Sequence, residues 1–134
     1  MSEKIIIDAE GAVLGRLASF AAKQSLLGKS IIIVNCEKAL ITGRKRFIIG
    51  EYKEKRRRGG SSRKGPHFPK SSERIVKRTV RGMLPYTQER GLSAFKRIIC
   101  YDKVPVEYES SKKIKMIREL KTRTLALAEV SREL

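Results

Sequence analysis

Two apolar runs constrain the fold most: Ile5-Ile6-Ile7 inside K-I-I-I-D and Ile31-Ile32-Ile33-Val34 inside I-I-I-V-N. Neither alternates polar with apolar residues, so each has the pattern of a strand covered on both faces, as in parallel sheets. Between them Glu10-Gly11 turns the chain, and Val13, Leu14, Leu17, Ala18 and Ala21 mark the inner face of a helix. That helix is expected to run to about Leu27 and to end at Gly28. Strand, helix and strand in this order make a right-handed βαβ unit. The run I-I-C-Y at 98–101 is a further buried strand.

A length of 134 residues and an apolar share of 40% fit one folded domain with a real core. Within it, residues 1–102 are expected to form an α/β core and 103–134 a basic C-terminal extension. No apolar run approaches the roughly 18 residues needed to span a bilayer, and M-S-E-K-I-I-I-D lacks a signal-peptide layout, so a cytosolic protein is expected. Cys36 and Cys100 are read as small buried residues at strand ends, with a disulfide open to them only if those strands lie side by side.

The net charge is +17, and the stretch from Lys53 to Arg81 holds twelve Lys or Arg against Glu54 and Glu73, a balance of +10. Residues 56–72 carry no apolar periodicity and are broken by Gly59, Gly60, Gly65, Pro66 and Pro69, so they read as an extended basic loop. From Glu73 the pattern becomes helical. Ile75, Val76, Thr79, Val80, Met83 and Leu84 share one face, and Arg74, Lys77, Arg78 and Arg81 share the other. Upstream, Thr42 or Gly43 can open a helix with Ile41, Ile48 and Tyr52 inward and Arg46, Lys53 and Arg57 outward, beside Gly50. A solvated face usually mixes signs; cations of one sign repel one another until a polyanion neutralises them. RNA phosphates are the matching ligand. With aromatic residues at 6% and no Trp, phosphate and shape recognition is expected rather than base stacking.

Catalytic patterns are weak. The turn D-A-E-G-A-V-L-G-R matches neither a dinucleotide-binding nor a P-loop motif, and reads as a tight turn with close helix packing at Gly15. Asp8, Glu10 and Glu37 can gather at a sheet edge, where a metal-dependent nuclease would keep carboxylates, although strand-end acids are also common caps. His67 has no second His or nearby Cys, so contact with RNA or packing with Phe68 is favoured over metal ligation.

The heptapeptide T-V-R-G-M-L-P at 79–85 resembles the ribosomal protein L13 family of the large subunit. Asp8-Ala9, Gly11, L-G-R-L-A-S at 14–19, Leu27-Gly28-Lys29, V-N-C-E at 34–37 and Ile41-Thr42-Gly43 follow in that family's order. The G-P-H-F segment and R-G-x-x-A-F-x-R at 90–97 resemble its archaeal and eukaryotic branch, whereas the loop R-R-R-G-G-S-S-R-K departs from the bacterial form. The resemblance implies a three-layer α/β/α fold on a four-stranded parallel sheet, a structural role in early large-subunit assembly, bound rRNA, neighbouring ribosomal proteins and no catalysis.

The expected RNA contacts are Arg44, Arg46, Lys53, Arg56, Arg57, Arg58, Arg63, Lys64, Arg74, Lys77, Arg78 and Arg81 as phosphate ligands. Gly59, Gly60 and Gly65 allow close backbone approach, and His67 is an added contact. Met83, Leu84 and Pro85 are expected to seat the helix on the core. No cofactor, metal, membrane or small-molecule substrate is expected. The competing readings are a free regulatory RNA-binding or mRNA-binding protein and a metal-dependent RNA-processing nuclease.

Overall fold

The computed structural model of the protein describes residues 4–57, 71–116 and 123–133. Strand β1 (Lys4–Asp8) leads into helix α1 (Leu14–Leu26) and returns as β2 (Ser30–Val34). These strands pair in parallel, Ile5 opposite Ile31 and Ile7 opposite Ile33, as the βαβ pattern requires. The chain then forms β3 (Leu40–Thr42), α2 (Lys45–Arg57), α3 (Ser72–Gly82), α4 (Glu89–Lys96) and β4 (Ile98–Cys100). It ends with β5 (Ile114–Lys115), β6 (Thr124–Ala126) and α5 (Leu127–Glu133).

The main sheet has the order β4-β2-β1-β5, with every neighbouring pair parallel. With the helices it makes a three-layer α/β/α fold. Strand β2 lies inside the sheet, and Ile31 to Val34 are all buried, which accounts for its unbroken apolar run. Helix α1 sinks Leu14, Leu17, Ala18, Ala21 and Ala22 and stops where Gly28 takes a left-handed φ of 97°. It packs against α3 and α4, so the basic helix rests on the first structural unit of the chain.

Strand β5 beside β1 supplies the fourth strand of the sheet. A second, antiparallel sheet pairs β3 with β6, and α5 buries Leu127 and Val130 in the core. Two residues of β5 and three of β6 are too short to show a period in sequence.

Several local expectations are corrected. Ile41 and Thr42 belong to β3 rather than to a helix, because Leu40 to Thr42 pair with Thr124 to Ala126. Gly43 follows with a φ of 132°, so α2 starts only at Lys45. Helix α4 follows the N-cap residue Gln88. Its inner face is Gly91 and Ala94, while Leu92 is exposed. Gly15 does not pack closely on any described residue: none stands within 4 Å of where its Cβ would be. Met83 is also exposed, so Leu84 seats the end of α3 without it.

Candidate nucleic-acid interface

Helix α3 is held from three directions. Ile75, Val76 and Val80 are fully buried on its inner face. At its N-terminus the Glu73 amide donates to Asp102 Oδ1 at 2.8 Å, a cap supplied from just beyond β4. At its centre Lys77 Nζ donates to the Phe95 carbonyl at 3.0 Å and to the Ile98 carbonyl, and lies 4.3 Å from the centre of the Phe95 ring. Burial pulls its pKa below the ordinary lysine value. The expected four-cation face is therefore corrected in one position. Lys77 turns inward because its long chain reaches the Phe95 and Ile98 carbonyls where α4 passes into β4.

The outer face of α3 presents Arg74 near one end and Arg81 near the other, both exposed, with Arg78 half-buried between them. The Arg81 guanidinium stacks 4.5 Å from the centre of the Tyr86 ring, which limits its rotamers and keeps a planar donor set facing outward. Tyr86 was not among the expected RNA-binding residues. Its signal in sequence is an aromatic set just past the M-L-P that ends the helix.

On α2, Ile48, Ile49 and Tyr52 turn inward, and Arg46, Gly50 and Lys53 are exposed. Lys55 lies 5.2 Å from the Tyr52 ring centre and 3.6 Å from Glu51. Arg44 is exposed just before the helix, and Arg56 and Arg57 are its last two residues. A groove of about 480 Å³ runs where α2, α3, β3 and the start of α1 meet, and Lys55 and Arg78 line it with Gly15 and Gly82. Among the described residues, no atom outside its own helix and chain neighbours stands within 4 Å of a Cβ position on either glycine, which leaves the backbone there open to close approach. Arg58, Gly59, Gly60, Arg63, Lys64, Gly65 and His67 lie outside the described residues.

The strand-end acids are not gathered into a metal centre. Asp8 is 5% exposed, and its Oδ1 accepts from the Glu10 amide and from Asn35 Nδ2, each at 3.0 Å. It ties the turn after β1 to the turn after β2, where Asn35 holds a left-handed φ of 58°. Among the described residues no group of three His, Cys, Asp or Glu is placed to hold a metal ion, and no helix is long and apolar enough to cross a membrane. Strands β2 and β4 do lie side by side, and Cys36 and Cys100 are free thiols.

The family model of ribosomal protein L13 matches residues 2–107, from β1 through both basic helices to beyond β4. The chain belongs to the ribosomal protein L13 family. Its relatives include the large ribosomal subunit protein uL13 of Archaeoglobus fulgidus, 47% identical over 96% of this chain and 86% of that protein. The uL13 of Methanocaldococcus jannaschii is 44% identical over 96% of both chains, and that of Methanosarcina barkeri 51% identical over 81% of this chain and 78% of its own. The family is structural and not enzymatic. The archaeal relatives agree with the branch to which the G-P-H-F segment pointed.

Proposed function

We propose that this chain is a structural component of the large ribosomal subunit, working in the cytoplasm, which binds rRNA and supports early subunit assembly. The observation that carries this reading is the groove that α2 and α3 share, lined by Lys55 of one helix and Arg78 of the other, while Arg46, Lys53, Arg74 and Arg81 are exposed elsewhere on the two helices. Two rigid basic helices meeting at an open glycine-lined groove can neutralise phosphates from RNA segments that approach from different directions. Arg44, Arg56, Arg57, Arg58, Arg63 and Lys64 are further phosphate ligands in this reading, Gly59, Gly60 and Gly65 admit the RNA backbone, and His67 adds a contact.

Membership of the family and the names of its archaeal relatives support the ribosomal setting. Sucrose-gradient sedimentation of a lysate at moderate salt tests it. Stoichiometric recovery with the large subunit is the expected result. Recovery only in the light soluble fractions would overturn the proposal in favour of a free RNA-binding protein.

A further inference from the structure

The buried stripe of α2 is Ile48, Ile49 and Tyr52, none more than 9% exposed. Phe47 precedes Ile48 by one residue, a rotation of about 100° around the helix, and that step carries it off the stripe. The residue is 71% exposed. A single exposed apolar residue is ordinary, but Phe47 is not an isolated bump. It lines a cleft of about 920 Å³ with Arg44, Arg46, Gly50, Glu51 and Glu54 among the described residues.

Each of these residues restricts what can occupy the cleft. Gly50 lies one turn beyond Phe47, and among the described residues nothing stands within 4 Å of where its Cβ would be, so none of them closes the space beside the ring. Arg44 and Arg46 stand at the N-terminal end of the cleft and the two glutamates at the C-terminal end. The cleft thus has a cationic end, an aromatic wall and an acidic end, in that order along α2. A nucleotide has the same three parts: a phosphate for guanidinium groups, a flat π-face for the ring, and a base edge. A carboxylate repels the phosphate and accepts hydrogen bonds from an exocyclic amine, which cytosine, adenine and guanine carry and uracil lacks. Glu51 is held by Lys55 at 3.6 Å, an exposed pair whose attraction is weak enough to exchange for such an amine. An apolar knob from a protein would cover the ring but bring no anion to the two guanidinium groups it desolvates.

We infer that the outer face of α2 holds a single unpaired nucleotide of the bound RNA, its base stacked on Phe47, its phosphate on Arg44 and Arg46, and an amine-bearing base preferred over uracil. The inference rests on the rRNA-binding reading and adds to its phosphate contacts a site that distinguishes a flipped-out base from a duplex.

Fluorescence anisotropy of the full-length protein with labelled oligocytidine, oligouridine and a short RNA duplex, each over a salt series, tests this site. Phe47→Ala is expected to weaken oligocytidine binding by about 5- to 150-fold and to leave duplex affinity and the salt slope unchanged, since every phosphate ligand is still in place. Phe47→Tyr, which keeps a stacking face, is expected to restore oligocytidine binding, and the wild type is expected to prefer oligocytidine to oligouridine. The site is refuted if Phe47→Ala binds oligocytidine as the wild type does, or if duplex binding falls equally. It is refuted too if Phe47→Ala leaves RNA binding intact but weakens association with another large-subunit protein. Failure of the site alone leaves wild-type duplex binding and subunit co-sedimentation in place, whereas failure of the rRNA reading removes both.

Discussion

Lys77 Nζ donates to the carbonyl oxygen of Phe95 at 3.0 Å while lying 4.3 Å from the centre of the same residue's ring. One side chain thereby fastens α3 to the end of α4, and the Ile98 carbonyl accepts from it as well. This distinguishes Lys77 from the arginines on either side. Lys77→Met is expected to destabilise the protein by about 1.5–3 kcal/mol, the range for hydrogen bonds to a charged group, and to leave the salt slope of RNA binding unchanged. Arg74, Arg78 and Arg81 replaced together by Gln are expected to lower that slope by about 0.7–0.9 for each phosphate left without its cation. Urea unfolding and RNA titration over a salt series check both; equal slope losses in the two variants would refute the distinction.

Gly91 is expected to tolerate no side chain. A Cβ there would fall on the carbonyl carbon and oxygen of Pro85, which are backbone atoms that cannot swing aside. Gly91→Ala must separate α4 from the M-L-P segment, at a cost of about 3 kcal/mol or more. Thermal unfolding would show it as a drop of many degrees, and a midpoint near that of the wild type would mean the two segments part easily.

Asp8→Ala is expected to cost about 2 kcal/mol, because it leaves the Glu10 amide and the Asn35 side-chain amide without their shared acceptor. RNA affinity, measured where the variant is fully folded, should stay close to that of the wild type. A large loss of affinity at unchanged stability would instead place Asp8 in the RNA interface.

A hydrogen bond with Cys100, followed by burial, holds the Cys36 thiol well above its ordinary pKa of 9.0. Above about pH 9 the unfolded chain releases this proton while the folded chain retains it, so the stabilisation is full below that pH and declines as pH rises. The decline from this group is about 1.4 kcal/mol per pH unit. Lys77 acts in the opposite sense, its folded pKa being lowered by burial, so between its folded and unfolded values it adds stability as pH rises. Urea unfolding of wild type and Cys36→Ala across the alkaline range isolates the thiol. The variant should lose stability less steeply; parallel curves would mean that Cys36 ionises alike in both states.

How much was legible depended on the length scale of each signal. The run Ile31 to Val34 and the spacing of Leu14, Leu17, Ala18 and Ala21 repeat over several residues, and the βαβ unit they predicted is the one observed. Ile114-Lys115 and Thr124 to Ala126 become strands only because β1 and β3 offer them partners, so their own residues carry no period. The exposed Phe47 stood in the sequence beside Arg44 and Arg46, but overall aromatic scarcity argued against stacking and concealed one aromatic placed off the buried stripe.

By itself, the sequence determined the parallel α/β class, the family, and the concentration of cations between Lys53 and Arg81, because periodicity, motif order and charge are properties of neighbours along the chain. Only the tertiary structure decided which cations face outward. Arg74 and Lys77 lie three residues apart on one helix and carry the same charge, yet Arg74 is exposed while Lys77 meets two backbone carbonyls from a segment about twenty residues away. A lysine stem is long and flexible enough to bring its charge to carbonyls that another segment places within reach, and only the folded chain sets that distance.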